Sequence, residues 1–170
     1  MAWLSNLWSV HLVGFDSILD NVQFAGGDIS FWNRQGIRLV GTGLGLNQRF
    51  SLLPNLRTSK DEGQANFVNP GLYLVNGGID ADLTPKLRGS LNVNLLSFAH
   101  TQVLETLLFQ NHIQRNIGVD TGIGFRWRPL LSDNVVIKFG GAALIPAAGF
   151  RQIYTSKTLF SSFVELKLTY

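Results

Sequence analysis

From residue 71 onward, apolar and polar positions alternate with a period of two. Gly71 to Leu83 sets Tyr73, Val75, Ile79 and Leu83 against Asn76, Gly78, Asp80 and Asp82. Side chains alternate between the two faces of a strand, so this stretch predicts a strand with one apolar and one polar face. After the tight Thr84-Pro85-Lys86 turn, Leu87 to Leu95 repeats the pattern, with Leu87, Leu91, Val93 and Leu95 opposing Arg88, Asn92 and Asn94. Together these make the clearest hairpin in the chain. Ile117 to Arg128 puts Ile117, Val119, Ile123, Phe125 and Trp127 against Asp120, Arg126 and Arg128. Asn134 to Ala143 puts Val135, Ile137 and Phe139 against Val136 and Lys138. The last strand, Thr158 to Tyr170, alternates Val164, Leu166, Leu168 and Tyr170 with Glu165, Lys167 and Thr169.

Other stretches read differently. Val103, Leu104, Leu107 and Leu108 recur at helical spacing, which predicts a short amphipathic helix over 101–110 inside the connection 97–116. Ile37 to Phe50 reads as a further strand with Gly41, Gly43 and Gly45 on one side, a sign of close backbone approach or strong curvature. Residues 1–33 form a separate, less regular segment, with Leu7 to Gly14 and Val22 to Trp32 as candidate strands. Trp3, Trp8 and Trp32 in this segment fit either core packing or an interfacial belt.

Connections alternate in length. Those at 84–86 and 129–133 are tight, whereas those at 51–70, 97–116 and 144–157 are long. A meander puts every second connection at the same end, so short turns gather at one end and long loops at the other. That asymmetry, with strands of spanning length, predicts an all-β fold for 34–170: an antiparallel meander forming a transmembrane β-barrel or the C-terminal part of a larger one. Six strands are too few for an ordinary closed single-chain barrel, so the expectation is that residues 1–33 supply two more, or that the chain is a fragment completed by the rest of a larger barrel. On this reading Asp80, Asp82, Arg88, Asn92, Asn94, Asp120, Arg126, Arg128, Lys138, Glu165 and Lys167 face the lumen. Tyr73 and Phe160 at one end, and Trp127 and Tyr170 at the other, form two aromatic girdles.

Composition narrows the choice. Apolar residues make up 45% of the 170 and charged ones only 15%, yet no run is long enough for a spanning helix. The net charge of +3 comes from scattered residues, which argues against nucleic acid as a partner. There is no cysteine, so disulfides and thiolate chemistry are excluded. The first sixteen residues lack the basic start and small-residue cleavage site of a secretion signal, so an exported protein would have its start upstream.

The closing residues Val164, Leu166, Leu168 and Tyr170 resemble the C-terminal assembly signal of Gram-negative outer-membrane β-barrel proteins. Asn69-Pro70-Gly71, Asp82 to Leu87 and Ser132 to Val136 resemble the closing third of large outer-membrane proteins of that class. The resemblance runs from about residue 34 and implies outer-membrane lipid and the barrel assembly machinery as partners. The function it implies is structural or pore-forming, with passive transport or export of a solute.

The other reading of the same alternation is a soluble β-barrel holding an apolar ligand, with Tyr73, Ile79, Leu91, Ile123 and Phe139 lining its cavity, because periodicity alone does not distinguish the two. Enzymatic chemistry has little support. His100 and His112 bracket the short helix with Glu105 nearby, but no His-Glu-x-x-His or Gly-x-Ser-x-Gly pattern occurs. The Gly41-Gly43-Gly45 spacing lacks the following helix and Lys-Ser or Lys-Thr of a phosphate loop. The expectation is a protein that is not an enzyme, with no metal and no cofactor.

Overall fold

The structure, a computed structural model, describes residues 24–54, 56 and 70–169. The candidate strand at Leu7 to Gly14, Trp3, Trp8, most of the 51–70 connection and Tyr170 lie outside the described residues.

A two-stranded ribbon of β1 (Ile37–Arg38) and β2 (Gly45–Asn47) precedes a five-stranded antiparallel meander. The meander runs in chain order through β3 (Leu72–Thr84), β4 (Leu87–Phe98), β5 (Asn116–Trp127), β6 (Val135–Pro146) and β7 (Leu159–Leu168). Three short helices lie outside the sheet: α1 (Phe31–Arg34), α2 (Gln102–Leu108) and α3 (Ala148–Ile153). An irregular 3-10 stretch, Phe24–Ile29, leads into α1.

Among the described residues the sheet does not close: β3 and β7 are edge strands, each paired on one side only. A sheet in hydrocarbon must satisfy every backbone group, which an open edge does not do. The expected closed transmembrane barrel is therefore corrected to an open antiparallel sheet with short helices. The alternation and the short-turn, long-loop asymmetry belong equally to a meander whose long connections carry helices at one end.

Two local expectations also change. The strand expected over 37–50 is a small ribbon turned by 39–44, where the Leu39 N–H donates to the Leu44 carbonyl at 3.0 Å. Gly41, at φ 74°, belongs to the turn and not to a strand face. Over 24–32, the described part of the strand expected from Val22 to Trp32, the chain instead forms the 3-10 stretch and α1, whose N-cap Ser30 accepts the Asn33 N–H at 3.2 Å.

One face of the sheet carries the added segments. At the long-loop end, Leu96, Phe98 and Leu144 pack with Trp32, Ile37, Leu39 and Leu46, with Leu104 of α2, and with Phe150 and Ile153 of α3 into one core. Ile117 joins this core and not the opposite face that the alternation assigned to it. The register skips a residue between Leu96 and Ser97, and Gly118 takes φ 147° to permit it. Nothing local marks α3 in the sequence: it is six residues long, has Gly149 near its start and lacks a side-chain cap. Its place is set by tertiary contact, since a Cβ on Gly149 would run into the Gln114 and Asn116 carbonyls.

Farther along the same face, Gly122 and Gly124 of β5 form a slot for Ile29. A Cβ at Gly122 would overlap the Ile29 carbonyl, and one at Gly124 would meet the Ile29 side chain. Gly77 of β3 has open space around it. Gly122→Ala should therefore cost about 2 kcal/mol by displacing the 24–34 segment, whereas Gly77→Ala should stay within about 0.5 kcal/mol of the parent. Urea denaturation of the two variants measures both, and equal midpoints would refute the slot.

Candidate functional site

The face under the 24–34 segment is graded along the strands. Its long-loop end is apolar core, its middle is amide and carboxylate, and its short-turn end is charged.

The middle zone holds the segment down. Asp120 of β5 is fully buried and accepts the Phe31 N–H at 3.0 Å and the Trp32 N–H at 3.2 Å. The Ser30 hydroxyl donates to the same carboxylate, and Asn94 adds a further hydrogen bond. Asp120 thus serves the first amides of α1, a role normally filled by a residue next in sequence. Beside it, the side-chain amides of Asn92 and Asn94 donate to the Ala25 carbonyl at 2.9 and 2.8 Å. Asn76 completes the group, donating to Asn92 at 2.7 Å and Asn94 at 2.6 Å. Asn76 and Ser30 were not among the candidates read from sequence. Asn76 sits in phase with Asn92 and Asn94 and was legible there, but nothing local marks Ser30 as a partner ninety positions from Asp120.

The short-turn zone carries the charges. Asp82, Arg88, Arg126, Lys138 and Glu165 are successive cross-strand partners, one from each strand of the meander. Arg88 donates to Asp80 at 3.2 Å, Arg126 to Asp133 at 3.1 Å, and Lys138 to Asp28 at 3.3 Å and Glu165 at 3.4 Å. Ser90, and then Arg88, hold the Asp80 carboxyl below its ordinary range. Arg128 lies just past β5, 3.9 Å from Asp133, and Lys167 lies across from Val136. A cavity of about 580 Å³ opens between this zone and residues 25–29. These side chains were expected to line a barrel lumen. In the open sheet there is no lumen, and the 24–34 segment occupies the middle of the face instead.

Among the described residues the opposite face is apolar and uncovered. Tyr73, Ile79, Leu91, Ile123 and Phe139, expected inside a closed ligand cavity, are all exposed on it. Val164, Leu166 and Leu168 of the expected assembly signal, and Trp127 and Phe160 of the expected girdles, are exposed as well. Trp32 is buried in the core, where its indole N–H donates to the Leu52 carbonyl at 2.7 Å. The strand pairing brings Leu91, Thr121, Ile123, Gly141, Ala143 and Phe160 around a shallow trough of about 410 Å³. The small residues Thr121, Gly141 and Ala143 make its floor low. Their size was visible in the sequence, but their meeting across β5 and β6 depends on register.

At the α2 loop, Glu105 accepts the Ile113 N–H at 2.9 Å and the Thr101 hydroxyl at 3.1 Å, which keep its carboxyl below the ordinary range. His112 is 3.9 Å away. Among the described residues no group of three His, Cys, Asp or Glu side chains is placed to hold a metal ion. No helix among them is long and apolar enough to cross a membrane.

No family model, curated protein or solved structure matches the chain. The resemblance to outer-membrane barrels fails on the open sheet. With it fall the outer-membrane location, the pore, and lipid, the assembly machinery and the rest of a larger barrel as partners.

Burial raises the Asp120 pKa, against the opposing pull of its hydrogen bonds. The folded form then holds its proton to higher pH than the unfolded chain. Stability should fall as pH rises from about 4, the ordinary carboxylate value, through the raised one, and then level off. Asp80 and Glu105, held low, act in the opposite sense below the ordinary range, where stability is lost as pH falls. Asp120→Asn should remove the upper slope and cost about 3 kcal/mol by putting an NH2 where Oδ2 now accepts from the Ser30 hydroxyl and the Trp32 N–H. Urea midpoints across the pH range check this, and an unchanged upper slope in the variant would contradict it.

Proposed function

We propose that the chain is a non-catalytic binding module whose apolar sheet face takes an elongated, uncharged apolar molecule along the trough. The observation that carries this reading is the face itself. Side chains such as Tyr73, Val75, Ile79, Phe160, Val164 and Leu168 are each more than 60% exposed. No charged residue from any of the five strands interrupts them. Together they present on the order of 1,000 Å², above the roughly 300–600 Å² of the largest patch on a typical monomer.

The trough gives that face a shape. Phe160 rises beside a floor of Gly141, Ala143 and Thr121, with Leu91 and Ile123 along the other side. A hydrocarbon chain covering about 200 Å² would gain on the order of 5 kcal/mol from burial before ordering costs. That corresponds to a dissociation constant of about 0.2 mM or weaker. The absence of polar anchors favours an uncharged, unbranched occupant.

The test is fluorescence of Nile red bound to the full chain and displaced by dodecanol. Saturable binding at one site per chain is expected, weakened at least tenfold in Ile123→Asp and in Phe160→Asp. Both side chains are exposed, so neither change should disturb folding. Unchanged binding in the two variants would contradict the reading. So would a dimer that both variants dissociate, or recovery of the chain only with lipid vesicles.

A further inference from the structure

We propose that the cavity at the charged end of the opposite face binds the phosphate group of a small organic molecule, held between Arg88 and Arg126. The two arginines are direct cross-strand partners, and Arg126 is in turn the partner of Lys138. Like charges placed opposite one another on a sheet repel and destabilise it. Carboxylates on either side offset this repulsion, yet the cavity lining itself holds three cations, Arg88, Arg126 and Lys138, against two carboxylates, Asp28 and Asp80.

The carboxylates nearby do not use up these donors. The Arg88 contact to Asp80 and the Arg126 contact to Asp133 each run through a single Nη. A guanidinium offers five N–H donors in a planar fork, which suits an oxyanion approached from two sides. Both arginines are about half exposed and line the cavity, so their remaining donors are within reach of a bound anion. Lys138, also in the lining, is shared between Asp28 and Glu165, so the two arginines carry the anion contacts.

The cavity has room for more than a bare anion. Its volume of about 580 Å³ falls within the roughly 300–1,000 Å³ of small-molecule sites. Its roof is the Gly26-Gly27-Asp28 turn, which the Asn92 and Asn94 amides fix in place through Ala25. The pocket is thus bounded by parts that the clamp already holds. It lies on the face opposite the apolar trough, with Leu91 in both linings.

Titration of the full chain at low ionic strength with inorganic phosphate and with glycerol phosphate, followed by calorimetry, tests the proposal. Saturable binding is expected, with glycerol phosphate at least as tight as inorganic phosphate. Arg88→Gln and Arg126→Gln should each weaken it at least tenfold. Arg128→Gln is the control, because it removes the same charge just outside the cavity lining. It should change binding less than twofold, and Ile123→Asp on the other face should do the same. Thermal melts of each variant, matched to the parent, show that the fold is kept. Absence of saturation up to about 10 mM, well above the dissociation constants of specific sites, would overturn the proposal. Equal losses in Arg128→Gln and Arg126→Gln would overturn it too, by showing a general charge effect.

Discussion

The buried carboxylate of Asp120 is the constraint on which the rest of the structure depends. A four-residue helix such as α1 has almost no intrinsic stability, because nucleation costs more than one turn returns. Here the free amides at its start find their acceptor on a strand of the sheet. That bond joins residue 31 to residue 120 and converts a weak local turn into the cover of one sheet face. Burying the carboxylate is costly, as its raised pKa records, and several hydrogen bonds offset part of that cost. Removing the acceptor would free the segment that carries Trp32 into the core and forms the roof of the charged cavity.

The clamp also explains the order of zones along the face. Apolar residues at the long-loop end bury Phe98, Leu144 and Trp32 together, where area removed from water stabilises most. The amide and carboxylate zone then meets the backbone of 25–32, whose polar groups need partners once water is excluded. Beyond the segment the face is open to solvent, and there the charged side chains can stay hydrated. The glycines Gly122 and Gly124 belong to the same logic, since the segment can approach β5 only where side chains are missing. Among the described residues the other face has no such cover, which leaves a wide apolar surface on a sheet with two open edges.

Much of the meander was legible in the sequence. The period of two placed β3 to β6 within a few residues of their ends, and the helical spacing of Leu104, Leu107 and Leu108 marked α2. Alternation could not reveal what covers each face or whether the edges meet, and on both points the barrel reading was wrong. Nothing in the alternation shows that the glycines at 122 and 124 are room for Ile29. Glycines at 41, 43 and 45 suggested a curved strand, but they surround a tight turn. In the candidate sites the charged row was visible as a set of residues, whereas the Arg88–Arg126–Lys138 adjacency came only from register. Ser30 and α3 left no local signal because both are defined by partners distant in sequence.

The clamp is the central claim, and amide hydrogen exchange reads it directly. If Asp120 holds the first turn of α1, the Phe31 and Trp32 amides should exchange as slowly as those in the middle of β5. An unclamped four-residue turn would exchange at nearly the rate of an open chain. Slow exchange at both amides is the predicted result. Fast exchange at Phe31 and Trp32 with β5 still protected would contradict the account.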